Sequence, residues 1–209
     1  WLMPINASPS YHGYDATDYR TVEPDYGTNA DFQQLMSEAH ARGMSVVVDY
    51  VMNHCSTQHP WFVDSAADDP DYRDWFVWRP TNPGWQQPWG GGQVFHYQAG
   101  RGLWYYGVFW GGMPDLNYLN PAVEQEMFDT ATFWLQDMGA DGFRLDAVKY
   151  MIEEEGVLEN TGSTFALWGR FREHLDQVAP DAFTVGEAWD ATDISAAYVD
   201  AGLHTVFEL

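Results

Sequence analysis

Basic residues are scarce in this 209-residue chain: 9 arginines and lysines stand against 31 acids, and Lys149 is the only lysine. The formal charge of -22 at pH 7 disfavours polyanionic partners, nucleic acid among them. Cys55 is the only cysteine, so no internal disulfide can form and the redox compartment stays open. No apolar run approaches the roughly 18 residues of a transmembrane helix, and Trp1 to Ser10 lack the basic start of a secretion signal. No membrane partner is expected. The chain reads as soluble, with secretion or a high-salt environment as the habitat that an acidic, lysine-poor surface suits; localisation and oligomeric state are left unknown. Neither GxGxxG nor GxxxxGK followed by Ser or Thr occurs, which removes the usual phosphate loops of open α/β sheets.

What is present is a core. With 45% hydrophobic and 17% aromatic residues the chain has enough apolar material for one large domain or part of one. Asn29 to Arg42 places Phe32, Leu35, Met36 and Ala39 on one helical face, stopped by Gly43. Met44, Val46, Val47 and Val48 then predict a strand buried on both faces, ending at Asp49. The order recurs. Asn120 as N-cap and Pro121 begin a helix that carries Met127, Ala131, Trp134, Leu135 and Met138 as far as Gly139, ahead of a strand with Phe143 and Leu145. A third round runs from Trp168 to Val178 and into the strand Phe183 to Val185, and a fourth from near Asp193 to Gly202 and a strand with Val206 and Phe207. The chain opens in one apolar stretch, Trp1 to Ile5, and stops in another that includes Leu209, so both ends are expected to fall within strands.

Repeated strand and helix alternation predicts an α/β fold with a parallel sheet, either doubly wound or a (β/α)8 barrel. The acids favour the barrel. Asp49, Asp146 and Glu187 each follow a successive predicted strand, and a barrel gathers catalytic groups from several strands at its C-terminal mouth. From Cys55 to Gly112 the periodicity vanishes into Pro, Gly, Asp, Trp and Tyr, which predicts a small inserted subdomain with its own strands, one around Trp104 to Trp110.

Glycoside hydrolysis uses two carboxyl groups flanking the scissile bond, one ionised and one protonated. Asp146 and Glu187 are one strand, helix and strand repeat apart, so they would stand on neighbouring strands. Arg144 lies two residues before Asp146 on the same face, where its guanidinium is expected to hold the aspartate ionised. Taken alone, that pair also fits a buried ion pair that merely packs the barrel. Three acids on three successive strands point to catalysis instead. Of the 11 tryptophans about half are expected in the core, with Trp85, Trp89 and Trp110 the better candidates for sugar platforms. Cys55 beside His54 reads as inert packing.

Four local patterns, in order along the chain, resemble the α-amylase family, glycoside hydrolase family 13: Asp49-Tyr50-Val51-Met52-Asn53-His54, Met113-Pro114-Asp115-Leu116-Asn117, Gly142-Phe143-Arg144-Leu145-Asp146 and Gly186-Glu187-Ala188-Trp189. The resemblance implies a partial TIM (β/α)8 barrel, about strands 2 to 6, with residues 1–54 as barrel, 55–112 as inserted domain B after strand 3, and 113–209 as barrel again. It implies a retaining mechanism in which Asp146 is the nucleophile and Glu187 the general acid/base. Tyr14 would stack on the sugar, His54 would hydrogen-bond its hydroxyls, Arg144 would orient Asp146, and Lys149 and Tyr150 would meet the leaving-group side.

The third carboxylate of that family has no counterpart in the sequence, so a longer natural protein is expected. Asp15 resembles the α-glucosidase and oligo-1,6-glucosidase branch, where this acid binds the non-reducing end, and Met113 to Asn117 looks intermediate between that branch and neopullulanase-like enzymes. The substrate expected first is an α-1,4-linked glucan or malto-oligosaccharide; a short α-1,6 or α-1,4 oligosaccharide is second. Transglycosylation with the same intermediate and a non-catalytic relative are the rival readings. Asn53 and Asp115 match positions that bind a structural calcium in many α-amylases, which leaves that ion open, although no metal set is assigned and the chemistry requires no cofactor.

Overall fold

A computed structural model describes residues 1–207; Leu209 of the expected terminal strand lies outside them. The chain begins with a short antiparallel pair, β1 (Asn6–Ala7) and β2 (Asp18–Val22). Helix α1 (Asn29–His40) follows, capped by Thr28, whose hydroxyl accepts from the Asp31 amide while Asp31 bonds back to the Thr28 amide. This reciprocal bonding satisfies two amides that a helix start leaves free. Its buried Phe32, Met36 and Ala39 face the core, whereas Leu35 is exposed.

Strand β3 (Val47–Tyr50) comes next. It starts later than the β-branched run predicts, because the Val46 amide is taken by the Asp141 carboxylate at 2.6 Å and Met44 stays in solvent. Asp49 lies inside this strand, one residue before its end.

Between β3 and the next parallel strand come helix α2 (Pro60–Ala66) and a three-stranded antiparallel sheet of β4 (Trp78–Arg79), β5 (Phe95–Gln98) and β6 (Leu103–Tyr106), with β6 in the middle. Strand β6 stops before Gly107, so Val108 to Trp110 form loop and not strand. Val94, Phe95, Tyr106, Val108 and Leu158 make a separate small core, and Trp85 packs on it edge to face with Phe95 at 5.6 Å. Trp85 is therefore a packing residue, against the expectation of a sugar platform.

The alternation then resumes with α3 (Pro121–Thr132), β7 (Gly142–Leu145), α4 (Gly162–Val178), β8 (Phe183–Glu187), α5 (Thr192–Asp200) and β9 (Thr205–Phe207). The helix that opens at Asn120 is α-helical only to Thr132; Phe133–Asp137 widens to a π-helical turn that keeps Trp134 and Leu135 buried. Strands β3, β7, β8 and β9 are parallel neighbours in that order, and Leu2 adds a single parallel bridge to Val48 at the outer side of β3. The chain thus forms an α/β structure on a parallel sheet, with α3 and α4 packed on each other. Gly142 is required where β7 meets β8, since a Cβ there would lie 2.0 Å from the Phe183 carbonyl oxygen. Among the described residues no helix is long and apolar enough to cross a membrane.

Candidate active site

The sheet register gathers the charged groups. Asp49 of β3 sits directly beside Arg144 of β7, and side chains alternate across a strand, so Arg144 and Asp146 project to one face together with Asp49. Arg144 Nη1 donates to Asp49 Oδ1 at 2.9 Å and to Asp146 Oδ1 at 2.7 Å, and Nη2 lies 2.9 Å from Glu187 Oε2. One guanidinium therefore joins acids from three successive strands or strand ends. The Ala147 amide also reaches Glu187 Oε2, at 3.4 Å, and this bond uses a left-handed Ala147 backbone at φ 54°.

Electrostatics in the cluster differ from the simple expectation for Arg144 and Asp146. Burial pushes the Asp146 carboxyl well above the ordinary aspartate range; Arg144 pulls it down, while Glu187 and Asp49 push it up again. Burial likewise raises Asp49, to about 6, against the pull of Arg144. One cation faces three carboxylates, two of them buried, so Asp49 and Asp146 hold their protons more readily than solvated carboxyls would.

Two cavities meet at this cluster. The first, of about 350 Å³, is lined by His12, Tyr14, His54, Phe109, Met113, Arg144, Asp146 and Glu187. The second, of about 560 Å³, is lined by Trp89, Phe109, Ala147, Lys149, Tyr150, Glu187, Ala188 and Trp189. Glu187 and Phe109 line both and form the waist between them. Trp89 stacks on Phe109 at 5.5 Å and meets Tyr150 edge-on at 5.6 Å, while Trp110 is exposed outside either lining.

The other residues singled out by sequence are placed as follows. Tyr14 OH donates to Asp49 Oδ2 at 3.3 Å, and its ring lies 5.8 Å from the Arg144 guanidinium carbon. His54 is buried; burial pushes its imidazole down to about 4, so it is neutral at pH 7. Its Nδ1 contacts Asn53 at 3.2 Å and its Nε2 has no hydrogen-bond partner among the described residues. His54 nonetheless belongs to the lining of the smaller cavity. Asp15 is buried and outside both linings; its Oδ1 accepts from the hydroxyls of Ser8, at 2.8 Å, and Ser10. Lys149 is ion-paired to Asp190 at 2.9 Å and to Glu159 at 3.2 Å.

Sequence reasoning did not single out His12, Phe109 or Met113 as cavity walls. His12 adjoins the Gly13-Tyr14 pair and stacks on Tyr14 at 6.1 Å, a proximity that sequence adjacency hints at. Phe109 and Met113 reach the site from the far end of the aperiodic segment, for which spacing offers no signal. Backbone pairing brings them there: His54 bridges Asp115 in antiparallel fashion, the Leu116 amide donates to the Asn53 carbonyl at 2.9 Å, and Tyr19 OH donates to the His54 carbonyl at 2.6 Å.

A structural calcium needs oxygens. Asn53 Oδ1 and Asp115 Oδ2 are buried without hydrogen-bond partners, so two are on offer. Calcium takes six to eight, and among the described residues no group of three His, Cys, Asp or Glu side chains gathers to hold a metal. The two side-chain oxygens of Asn53 and Asp115 are fewer than that ion takes.

The family description "Alpha amylase, catalytic domain" matches residues 1–208. Alpha-amylase 3 of Dictyoglomus thermophilum is 41% identical over 198 residues, covering 91% of this chain and 36% of that protein. An alpha-glucosidase of Culex pipiens is 40% identical over 199 residues, covering 90% of this chain and 34% of that protein. The crystal structure of an alpha-amylase from H. orenii superposes with a TM-score of 0.88 at 42% identity, over 99% of this chain and 41% of that one. This chain thus spans about a third of the length of these curated relatives. With the matched family description running along its length and relatives near 40% identity, the chain belongs to the α-amylase catalytic-domain family of glycoside hydrolases, family 13.

Proposed function

We propose that the protein is a retaining glycoside hydrolase of α-1,4-linked glucans and malto-oligosaccharides. The observation that carries this reading is the single Arg144 guanidinium held against both Asp146 and Glu187 at the waist of two cavities. A sugar in the smaller cavity would present its anomeric carbon to Asp146, and the rest of the glucan would extend past Glu187 into the larger one. Asp146 Oδ attacks the anomeric carbon as Glu187 gives its proton to the departing glycosidic oxygen, leaving a glycosyl ester on Asp146. Water then enters on the Glu187 side; Glu187 takes its proton, the C–O bond to water forms and the ester bond breaks. Arg144 turns Asp146 toward the sugar, Tyr14 offers its ring, and His54 offers Nε2 to a hydroxyl.

In this reading β3, β7, β8 and β9 are strands three to six of a (β/α)8 barrel, the Leu2 segment belongs to strand two, residues 55–112 are domain B, and the family's third carboxylate lies outside the chain. No metal enters any step. A second reading, an α-glucosidase acting on short α-1,4 or α-1,6 oligosaccharides or transferring glucose to a sugar, is favoured by Asp15, whose carboxylate is fixed by two serines beside the His12-Tyr14 wall.

The test uses the natural full-length protein. A 5-fluoroglucosyl fluoride should label it covalently, and peptide mass mapping should place the label on Asp146. Product sizes from amylose and from isomaltose then separate the two readings, and a label on any other residue would overturn both.

A further inference from the structure

Glu187 ends β8, and the chain then turns within three residues into the segment before α5. Ala188 is buried, and Trp189, half exposed on the wall of the larger cavity, has φ of +44°. A bulky residue in the left-handed region is an outlier that persists only where its surroundings over-determine it. Here the surroundings are specific. Lys149 Nζ lies 3.5 Å from the Trp189 carbonyl oxygen and 2.9 Å from Asp190 Oδ2, so one ammonium grips both sides of the turn. Asn160 Nδ2 donates to the same carboxylate oxygen at 2.9 Å, and Asn160 is itself held by Tyr198 OH at 2.7 Å. The Ala191 amide takes Asp190 Oδ1 at 2.8 Å.

Lys149 therefore has little left to offer a sugar. An ammonium has three donors, and the Trp189 carbonyl, Asp190 and Glu159 supply three acceptors around it. The family resemblance implies a leaving-group contact for Lys149; the hydrogen bonding turns its charge inward. Burial works against the charge on Asp190, but Lys149, Asn160 and the Ala191 amide outweigh it and hold the carboxyl below the ordinary range.

Building on the glycosidase reading, we propose that Asp190 and Lys149 are a positioning pair which, through the left-handed Trp189 backbone, fixes Glu187 for proton transfer and sets the indole as the wall of the leaving-group cavity. Neither residue touches the reacting atoms. Both act by fixing the main chain two and three residues beyond the acid.

The experiment compares two substrates in the full-length enzyme. Maltotriose needs its leaving oxygen protonated by Glu187, whereas α-glucosyl fluoride loses fluoride without a proton from the enzyme. Asp190→Ala and Lys149→Met should each lower kcat/KM, which reports formation of the glycosyl ester, by about tenfold to a hundredfold on maltotriose, the scale of a misplaced general acid, with less than about a threefold loss in kcat/KM on the fluoride. The double variant should be no worse than the poorer single, since the two act as one unit, and Lys149→Arg should restore part of the rate.

Equal losses on both substrates would overturn the pair, as would additive losses in the double variant. A Lys149→Met variant with raised KM and unchanged kcat would make Lys149 a direct sugar ligand, which also overturns it. Should Asp190→Ala fail to fold by thermal melting, Asp190→Asn keeps the side-chain shape and must show the same split between substrates. A wild-type protein that turns over neither substrate overturns the glycosidase reading and the pair with it; an active one with equal losses overturns the pair alone.

Discussion

Arg144 donates from one terminal nitrogen to both Asp49 and Asp146, at 2.9 Å and 2.7 Å. Its place in the fold is thus doubly anchored, and neutralising one acid leaves the other. Asp146→Asn should leave thermal unfolding nearly unchanged while removing the proposed nucleophile, for a loss of several orders of magnitude in turnover. Melting curves beside activity assays check this; more than about a tenth of wild-type turnover would refute the assignment.

In the proposed mechanism attack by Asp146 and a second attack by water each invert the anomeric carbon, so the first product of hydrolysis should be the α-anomer. Proton NMR of early product reads this directly. A β-anomer would mean a single displacement, which calls for carboxyls about 6.5 to 9.5 Å apart and not the roughly 5 to 5.5 Å of a retaining pair.

His54, held down to about 4 by burial, stays neutral across the working range. His54→Gln should therefore lower kcat/KM by a similar factor, about tenfold or more, at pH 5.5 and at pH 8. A loss confined to one end of that range would show that its charge matters. Stability gives a second readout. His54 is neutral in the fold but takes a proton near 6.5 when unfolded, so it contributes stability above that pH which is lost as pH falls through about 4. Relative to wild type, the Gln variant should melt progressively higher between pH 7 and pH 4.

Asp49 has the opposite sign. Burial raises it to about 6 in the fold, above the roughly 3.9 of an unfolded aspartate, so its contribution is fully present below about pH 4 and is lost as pH rises through 6. Asp49→Asn carries no such titration. Its stability relative to wild type should improve from pH 4 to pH 7 by on the order of 2 kcal/mol, measured by denaturant unfolding at both pH values; a difference that does not change with pH would contradict it.

Asp15→Ala should cut kcat/KM on maltotriose by about 2 kcal/mol of transition-state binding and leave long amylose nearly untouched, if the acid reads a chain end. Ser8→Ala with Ser10→Ala, which frees the carboxylate without removing it, should reproduce part of that loss. Equal losses on the two substrates would reduce Asp15 to a fastener of its own loop.

The parallel strands and their helices were legible because apolar spacing reports burial locally: Phe32 and Met36 on α1, or Phe143 and Leu145 on β7, are read within a few residues. The acids at strand ends were legible because the repeat itself implies a common mouth. What stayed hidden depends on distant pairing. Phe109 reaches the smaller cavity only because the segment around Asp115 runs antiparallel to His54, and no local pattern encodes that pairing. Lys149 was legible as a residue near the site, but not its partners Glu159 and Asp190, which lie ten or more positions away on other loops. The start of β3 was missed for a similar reason, since the Asp141 side chain takes the Val46 amide from afar.

The pairing of Asp49 with Arg144 across β3 and β7 would make the proposed catalysis an all-or-nothing property of the molecule. Side chains alternate strictly, so a slip of one position between these strands would turn Arg144 toward the helices and part it from its acids, with no intermediate arrangement to occupy. Damaged or wrongly folded copies would accordingly be silent instead of altered in what they cut. In a preparation of mixed quality, total activity would count correctly registered molecules, while the affinity measured for substrate would stay constant as the yield varied.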